Sequence, residues 1–120
     1  MAGIGAEDIG KCVCGMFKRG DEYLGKRVGL AGEHLTCDEM AAKLTKALGR
    51  EVRYNAVTPG QFRSFGFPGA EDLGNMFQLY RDFEADLNRL RDVERSRMLN
   101  PELQSFDQWL AQNAGRIPLD

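Results

Sequence analysis

Hydrophobic and polar positions alternate with two different periods along this chain, and the change of period marks its elements. Between residues 6 and 19 the apolar side chains Ile9, Val13, Met16 and Phe17 recur at helical offsets, which gathers them on one face. Glu7 and Asp8 suit the first turn of that helix, Lys18 and Arg19 suit the last, and Gly20 is its stop. Gly10 and Gly15 interrupt it at a propensity cost of about 1 kcal/mol each. Either they permit a neighbouring element to come close or they are incidental.

Residues 27–31 (RVGLA) read as a short strand after turn chemistry at 21–25. Thr36 followed by Glu39 is a capping box, in which hydroxyl and carboxylate satisfy each other's backbone amides. The helix it opens runs through Met40, Ala41, Leu44, Ala47 and Leu48 to Gly49, a left-handed stop. In residues 51–57 (EVRYNAV) the period drops to two, with Val52, Tyr54 and Ala56 set against Arg53 and Asn55, as in a half-buried strand. Strand, capped helix and strand in succession predict a βαβ-like unit whose strands run parallel if they share a sheet.

Thr58 and Pro59 open another short helix as cap and first residue, with Phe62 and Phe65 on one side and Gly66 closing it. Phe67, Pro68 and Gly69 form a tight loop. From Ala70 the positions Leu73, Met76, Phe77, Tyr80, Phe83, Leu87 and Leu90 follow near-heptad spacing, which by itself predicts one long rod. Pro101 marks a new start after Val93 and Met98. Ser105 and Gln108 form a second capping box for a helix presenting Phe106, Trp109 and Leu110, ended by Gly115 and Pro118.

Composition adds a class to this pattern. The 120 residues are 42% hydrophobic and 28% charged, as in one globular domain, and a net charge of −2 gives no general attraction to nucleic acid or anionic lipid. No apolar run is long enough for a bilayer, so neither a membrane nor a nucleic acid is an expected partner. Three cysteines, Cys12, Cys14 and Cys37, without an apolar leader point to a reducing compartment, cytosolic or nuclear. The start, MAGIGAEDIG, reads as the end of a strand entering a helix, as if in the interior of a larger fold.

No catalytic constellation follows from the residues. Gly3, Gly5 and Gly10 do not have the dinucleotide-fingerprint spacing, and no P-loop lysine follows. Cys12 and Cys14, two apart on a helix, diverge, so buried or semi-buried free thiols are favoured over a metal pair. His34, the one histidine, reads as a loop residue before a helix start. The dense mixed charge of residues 81–97 reads as a solvated, ion-paired face. The aromatic set is the exception. Phe62, Phe65 and Phe67 with Met76, Phe77 and Tyr80 fill either a core or a cleft that holds a ligand or partner, and a glycine and proline loop favours docking for Phe65 and Phe67.

The stretches AEDIGK, GLAGEHLTCDEMAAKLTKALGREVRYNAVTP, FGFPGAEDLGNMF and LNPELQSFDQWLAQN resemble the C-terminal portion of the NmrA-like family, atypical short-chain dehydrogenases that include animal NADP(H)-sensing regulators. The resemblance covers essentially the whole chain, and FPGAEDLGNMF and the tail are its most specific parts. It implies a helix-rich α/β fold: residues 1–120 as a single small C-terminal lobe with two short strands and about five to six helices, the Rossmann nucleotide-binding half being absent. It further implies a helix over 70–81, an irregular stretch over 83–90 and a second helix over 91–99. The expected role is that of a non-catalytic lobe in a redox sensor acting through partner binding, with no catalytic, metal or cofactor-contacting residue carried over. NADP is the cofactor expected of the full-length family and none is expected for this chain alone. The expected partner is a protein or the missing Rossmann domain, met through Phe62, Phe65, Phe67, Met76, Phe77 and Tyr80. The alternative is a stand-alone interaction module that uses the same surface to form a homo-oligomer.

Overall fold

The structure, a computed structural model, describes residues 1–119. Among them the chain forms two short strands, β1 (Ala2–Gly3) and β2 (Glu33–His34), and seven α-helices. These are α1 (Ala6–Lys18), α2 (Cys37–Leu48), α3 (Pro59–Arg63), α4 (Ala70–Asp82), α5 (Glu84–Leu90), α6 (Val93–Leu99) and α7 (Phe106–Asn113). Short 3-10 turns follow α1 at Gly20–Tyr23 and α7 at Ala114–Arg116. The helix-rich α/β character with two short strands is as expected. Among the described residues no helix is long and apolar enough to cross a membrane.

The caps are where the residue types place them. Thr36 with Glu39, Thr58 with Gln61 and Ser105 with Gln108 each make a complete capping box, at the starts of α2, α3 and α7. Gly49 ends α2 at φ 67°, a left-handed conformation that an L side chain resists.

The strands are not where alternation places them. Neither 27–31 nor 51–57 joins a ladder, and the parallel βαβ unit is not formed: β1 pairs with β2 antiparallel, Ala2 opposite His34 and Gly3 opposite Glu33. Residues 27–31 instead lie along helices. The Ala31 amide donates to Ser96 Oγ at 3.0 Å, and a Cβ on Gly29 would meet the Leu90 carbonyl oxygen at 2.3 Å. The Ala31 amide is thus taken by α6, and at Gly29 the end of α5 lies against the segment where a neighbouring strand would have to sit. His34 accordingly stands in β2, with Nε2 2.8 Å from the Arg91 carbonyl, and is not a free loop residue.

The core lies between α1, α6 and the segment leading into α7. Cys12, Leu99 and Leu103 are its buried centre, and Ile4, Met16, Val28, Leu30 and Val93 pack around them. The buried residues of α1 are therefore Asp8 and Cys12, with Met16 partly buried beside them, whereas Ile9 and Phe17 of the apolar stripe read in the sequence are 44% and 81% exposed. One polar residue and one glycine turn the helix. The Asp8 carboxylate is sealed in and accepts from Asn100 Nδ2 at 2.9 Å and the Gln104 amide at 3.1 Å, so its burial is matched by hydrogen bonds. Gly15 then lets the α6 backbone lie directly against α1.

The rod expected from periodicity is broken at Phe83, where φ −122° and ψ 30° leave helical space. Residues 84–90 are nevertheless helical as α5 rather than irregular, built from good helix formers with an Asp86–Arg89 ion pair at 2.9 Å along the exposed side. Helices α3, α4 and α5 pack chiefly on one another, while α1 packs on α6 and α2 on α7. This arm elongates the molecule: its radius of gyration, 16.5 Å, exceeds the roughly 13.6 Å of a compact chain of this length.

Candidate functional site

The aromatic residues singled out in the sequence sit on the arm. Helix α3 begins at a capping box with Pro59 at its first turn, where a missing amide costs nothing, and ends at Ser64. Gly66 at φ 69° and Gly69 at φ 87° then return the chain so that α4 lies on α3. The contact is close because Gly74 faces Arg63: a Cβ there would stand 2.5 Å from Arg63 Cγ. The Arg63 guanidinium spans the pair, donating to Asn75 Oδ1 at 3.1 Å and Gln78 Oε1 at 2.9 Å.

Phe62 is the hub of the cluster this produces. Its ring centroid lies 5.6 Å from Phe65, 5.7 Å from Phe67 and 5.2 Å from Phe77, with interplanar angles of 54°, 84° and 72°. Tilted and edge-to-face pairs of this kind are each worth about 0.5–1.5 kcal/mol beyond area burial. The structure thus brings together four of the six residues. Tyr80 is engaged elsewhere, its ring under the Arg91 guanidinium at 5.3 Å, and ties α4 to the α5–α6 junction. Met76 is half-buried on α4 and makes no aromatic pair among the described residues.

The cluster is only half covered. Phe62 is shielded, but Phe65 is 57% exposed and Phe67 and Phe77 about two-fifths, and Leu73, Leu79 and Phe83 add to the open apolar surface of the arm. Its rim is polar and ion-paired. The Arg81 side chain, hydrogen-bonded to Asp82 at 2.8 Å, holds that carboxyl below the usual carboxylate range, with Gln78 contributing. A surface of this kind can receive another apolar surface. It has no nucleophile, no paired acid and base and no phosphate cradle.

A second feature was not singled out in the sequence. A cavity of about 330 Å³ opens between β1, α2 and α7, lined mainly by Ile4, Leu35, Met40, Phe106 and Trp109. Phe106 and Trp109 stack at 6.3 Å and 15° on its wall. Their shared helical face was legible, but not that β1 would stand off from it. At its edge Lys43 bridges Glu33 and Asp107, and the hydrogen bond to Asp107 raises the lysine pKa above its ordinary value. Glu33 also caps α7 by accepting the Phe106 amide at 2.9 Å.

The three cysteines are separate: Cys12 is buried, Cys14 exposed and Cys37 intermediate. Among the described residues no three His, Cys, Asp or Glu side chains converge as a metal-binding group.

Comparison with known proteins places this geometry in a family. The NmrA-like family profile matches residues 1–110. NmrA-like family domain-containing protein 1 of Rattus norvegicus is 31% identical over 99 residues, which cover 82% of this chain and 45% of that protein. The chain thus spans less than half the length of this relative. Both motifs that carry the likeness, the loop from α3 into α4 and the tail from α6 into α7, fall within the matched residues, and the chain belongs to the NmrA-like family.

Proposed function

We propose that this chain is a non-catalytic docking lobe of an NmrA-like redox regulator, and that it works by seating the α3–α4 aromatic face on a nucleotide-binding domain. One observation carries the reading. Phe65, Phe67 and Phe77 are held in place around Phe62 yet left largely open, on an arm whose helices pack chiefly on each other. Holding aromatic rings in a fixed arrangement at the surface lowers the entropy cost of binding, and aromatic anchors dominate interface energetics. Family membership supplies the class of partner: NmrA-like proteins pair a Rossmann half that binds NADP with a smaller lobe. In this reading NADP(H) belongs to the partner domain, the chain contributes no cofactor-contacting group, and its place is the cytosol or nucleus.

The test is calorimetry with a separately produced nucleotide-binding half of an NmrA-like protein, loaded with NADP. Binding is expected for the wild-type chain and is expected to weaken at least tenfold in Phe65→Ser and Phe67→Ser, whose rings are exposed enough for the fold to tolerate their loss. Titration of the chain alone with NADP(H) is expected to give no heat. Micromolar affinity for the nucleotide, or binding of the partner half that ignores both substitutions, would sink the proposal.

The second reading, a stand-alone module that self-associates through the same face, is favoured by the exposure of Leu73, one helical turn from Phe77, beside the open aromatic rings. Sedimentation of wild type against Phe65→Ser separates the two: self-association through this face is lost with the ring.

A further inference from the structure

The cavity between β1, α2 and α7 lies apart from the α3–α4 aromatic face and shares no lining residue with it. Ile4, Leu35, Met40, Phe106 and Trp109 are each half-buried, so they border an open space instead of filling a core. At about 330 Å³ that space has the volume of a small-molecule site at the low end of the range. Phe106 and Trp109, one turn apart on α7 and inclined by only 15°, give it one flat wall. The chain itself fixes where that wall stands. Glu33 of β2 accepts the Phe106 amide in the first turn of α7, and Lys43 of α2 reaches both Glu33 and Asp107.

Charge around the mouth selects what such a space can hold. Glu33 and Asp107 share the single ammonium of Lys43, and Glu39 stands one turn before that lysine on α2. On the β1 side the Met1 ammonium is taken by the Leu35 carbonyl at 2.8 Å and by Glu84 at 3.4 Å. The mouth is therefore negative on balance. The hydrogen bond to Asp107, with the Glu33 charge behind it, raises the Lys43 pKa against the cost of desolvation, as a surplus of carboxylate requires. An anion finds no free cation here. A cation finds two carboxylates beside an aromatic wall whose ring faces also attract positive charge.

We propose that this cavity binds a small organic cation of the arylalkylamine class, its ring against Phe106 and Trp109 and its ammonium at the Glu33 and Asp107 carboxylates. Ile4, Leu35 and Met40 supply the apolar surroundings of the ring. The same charge balance disfavours a phosphate-bearing nucleotide, so this site is separate from any NADP(H) held by a partner domain.

Three probes of similar shape and different charge test it on the whole chain: 2-phenylethylamine, 2-phenylethanol and 3-phenylpropionate. Trp109 is the only tryptophan, so its emission reports the cavity directly. The amine should change that emission saturably, with a dissociation constant on the order of 1 mM for so small a molecule. The alcohol should bind more weakly and the acid not at all. Asp107→Asn should weaken the amine roughly fivefold, the effect of one unit charge at about 4 Å in water. Lys43→Gln should strengthen it by a similar factor, a gain that a damaged fold cannot produce. With methyl-labelled methionine the amine should move the Met40 resonance and leave Met76 and Met98, on α4 and α6, in place. An unsaturable response, equal affinity for all three probes, tighter binding of the acid, or a shift at Met76 in place of Met40 would each overturn the proposal.

Discussion

Gly10 and Gly15 lie in the same helix, and alanine at the two positions should move stability in opposite directions. At Gly10 an added Cβ meets nothing within 4 Å, so the helix propensity of alanine acts alone and should stabilise by about 1 kcal/mol. At Gly15 the same Cβ would stand 2.1 Å from the Leu99 carbonyl oxygen and 2.9 Å from its carbon. Ordinary contact begins near 3.4 Å, so α1 and α6 must part by roughly 1 Å, and the obstacle is backbone that cannot rotate away. A gap of that size forfeits up to about half of each dispersion contact across the seam. The seam includes Cys12, Leu99 and Leu103, the centre of the core. Overpacking of this kind costs about 3 kcal/mol; subtracting the propensity gain leaves a net loss of about 2. At roughly 4 °C per kcal/mol for a domain of this size, Gly15→Ala should melt about 8 °C below wild type and Gly10→Ala about 4 °C above it. Thermal unfolding followed by circular dichroism and by Trp109 fluorescence measures both. A Gly15→Ala protein as stable as wild type, or shifts of the same sign, would refute the close packing of α1 on α6.

Asn100→Ala should destabilise by about 2–3 kcal/mol in urea unfolding, because it leaves the sealed Asp8 carboxylate with one partner in place of two. Thr36→Ala should cost about 1 kcal/mol by removing half of a capping box. The box also has an acid limb. The Thr36 amide holds the Glu39 carboxyl below its ordinary value of 4.5, so the contribution is complete above that pH and fades as the pH falls through the lower folded value, a dependence the Glu39→Gln protein should lack. Cys12 has an alkaline counterpart, since burial and then the Asp8 charge raise its thiol above 9.0. The unfolded chain loses that proton first, so this contribution is whole below pH 9 and lost as the pH climbs toward the folded value, measurable as the difference between wild type and Cys12→Ala. In the native protein an aromatic disulfide reagent should modify Cys14 at once and Cys12 only on unfolding.

What the sequence determined by itself is the local chemistry. Each hydroxyl followed three residues on by Glu or Gln became a capping box, Gly49 became a left-handed stop, and the loop from Phe65 to Gly69 became a turn into α4, because each depends on neighbours within one helical turn. Of the aromatic set, Phe62, Phe65, Phe67 and Phe77 were legible as one cluster for the same reason, lying on two short helices joined by a tight loop.

Only the tertiary structure decided what those elements face. Alternation marked 27–31 and 51–57 as extended, but a ladder needs a partner: the Leu90 and Ser96 side of the helices claimed the first, and Thr45 claimed one residue of the second. Tyr80 left the cluster for Arg91, a residue past the helix break at Phe83 and at the end of α5. The apolar stripe of α1 pointed to Ile9 and Phe17, whereas the buried one runs through Asp8 and Cys12, because hydrogen bonds to Asn100 and Gln104 offset the burial of a carboxylate and Gly15 offers the closest approach. Periodicity counts side chains by their hydropathy. It does not know that a distant asparagine will make an aspartate the better residue to bury.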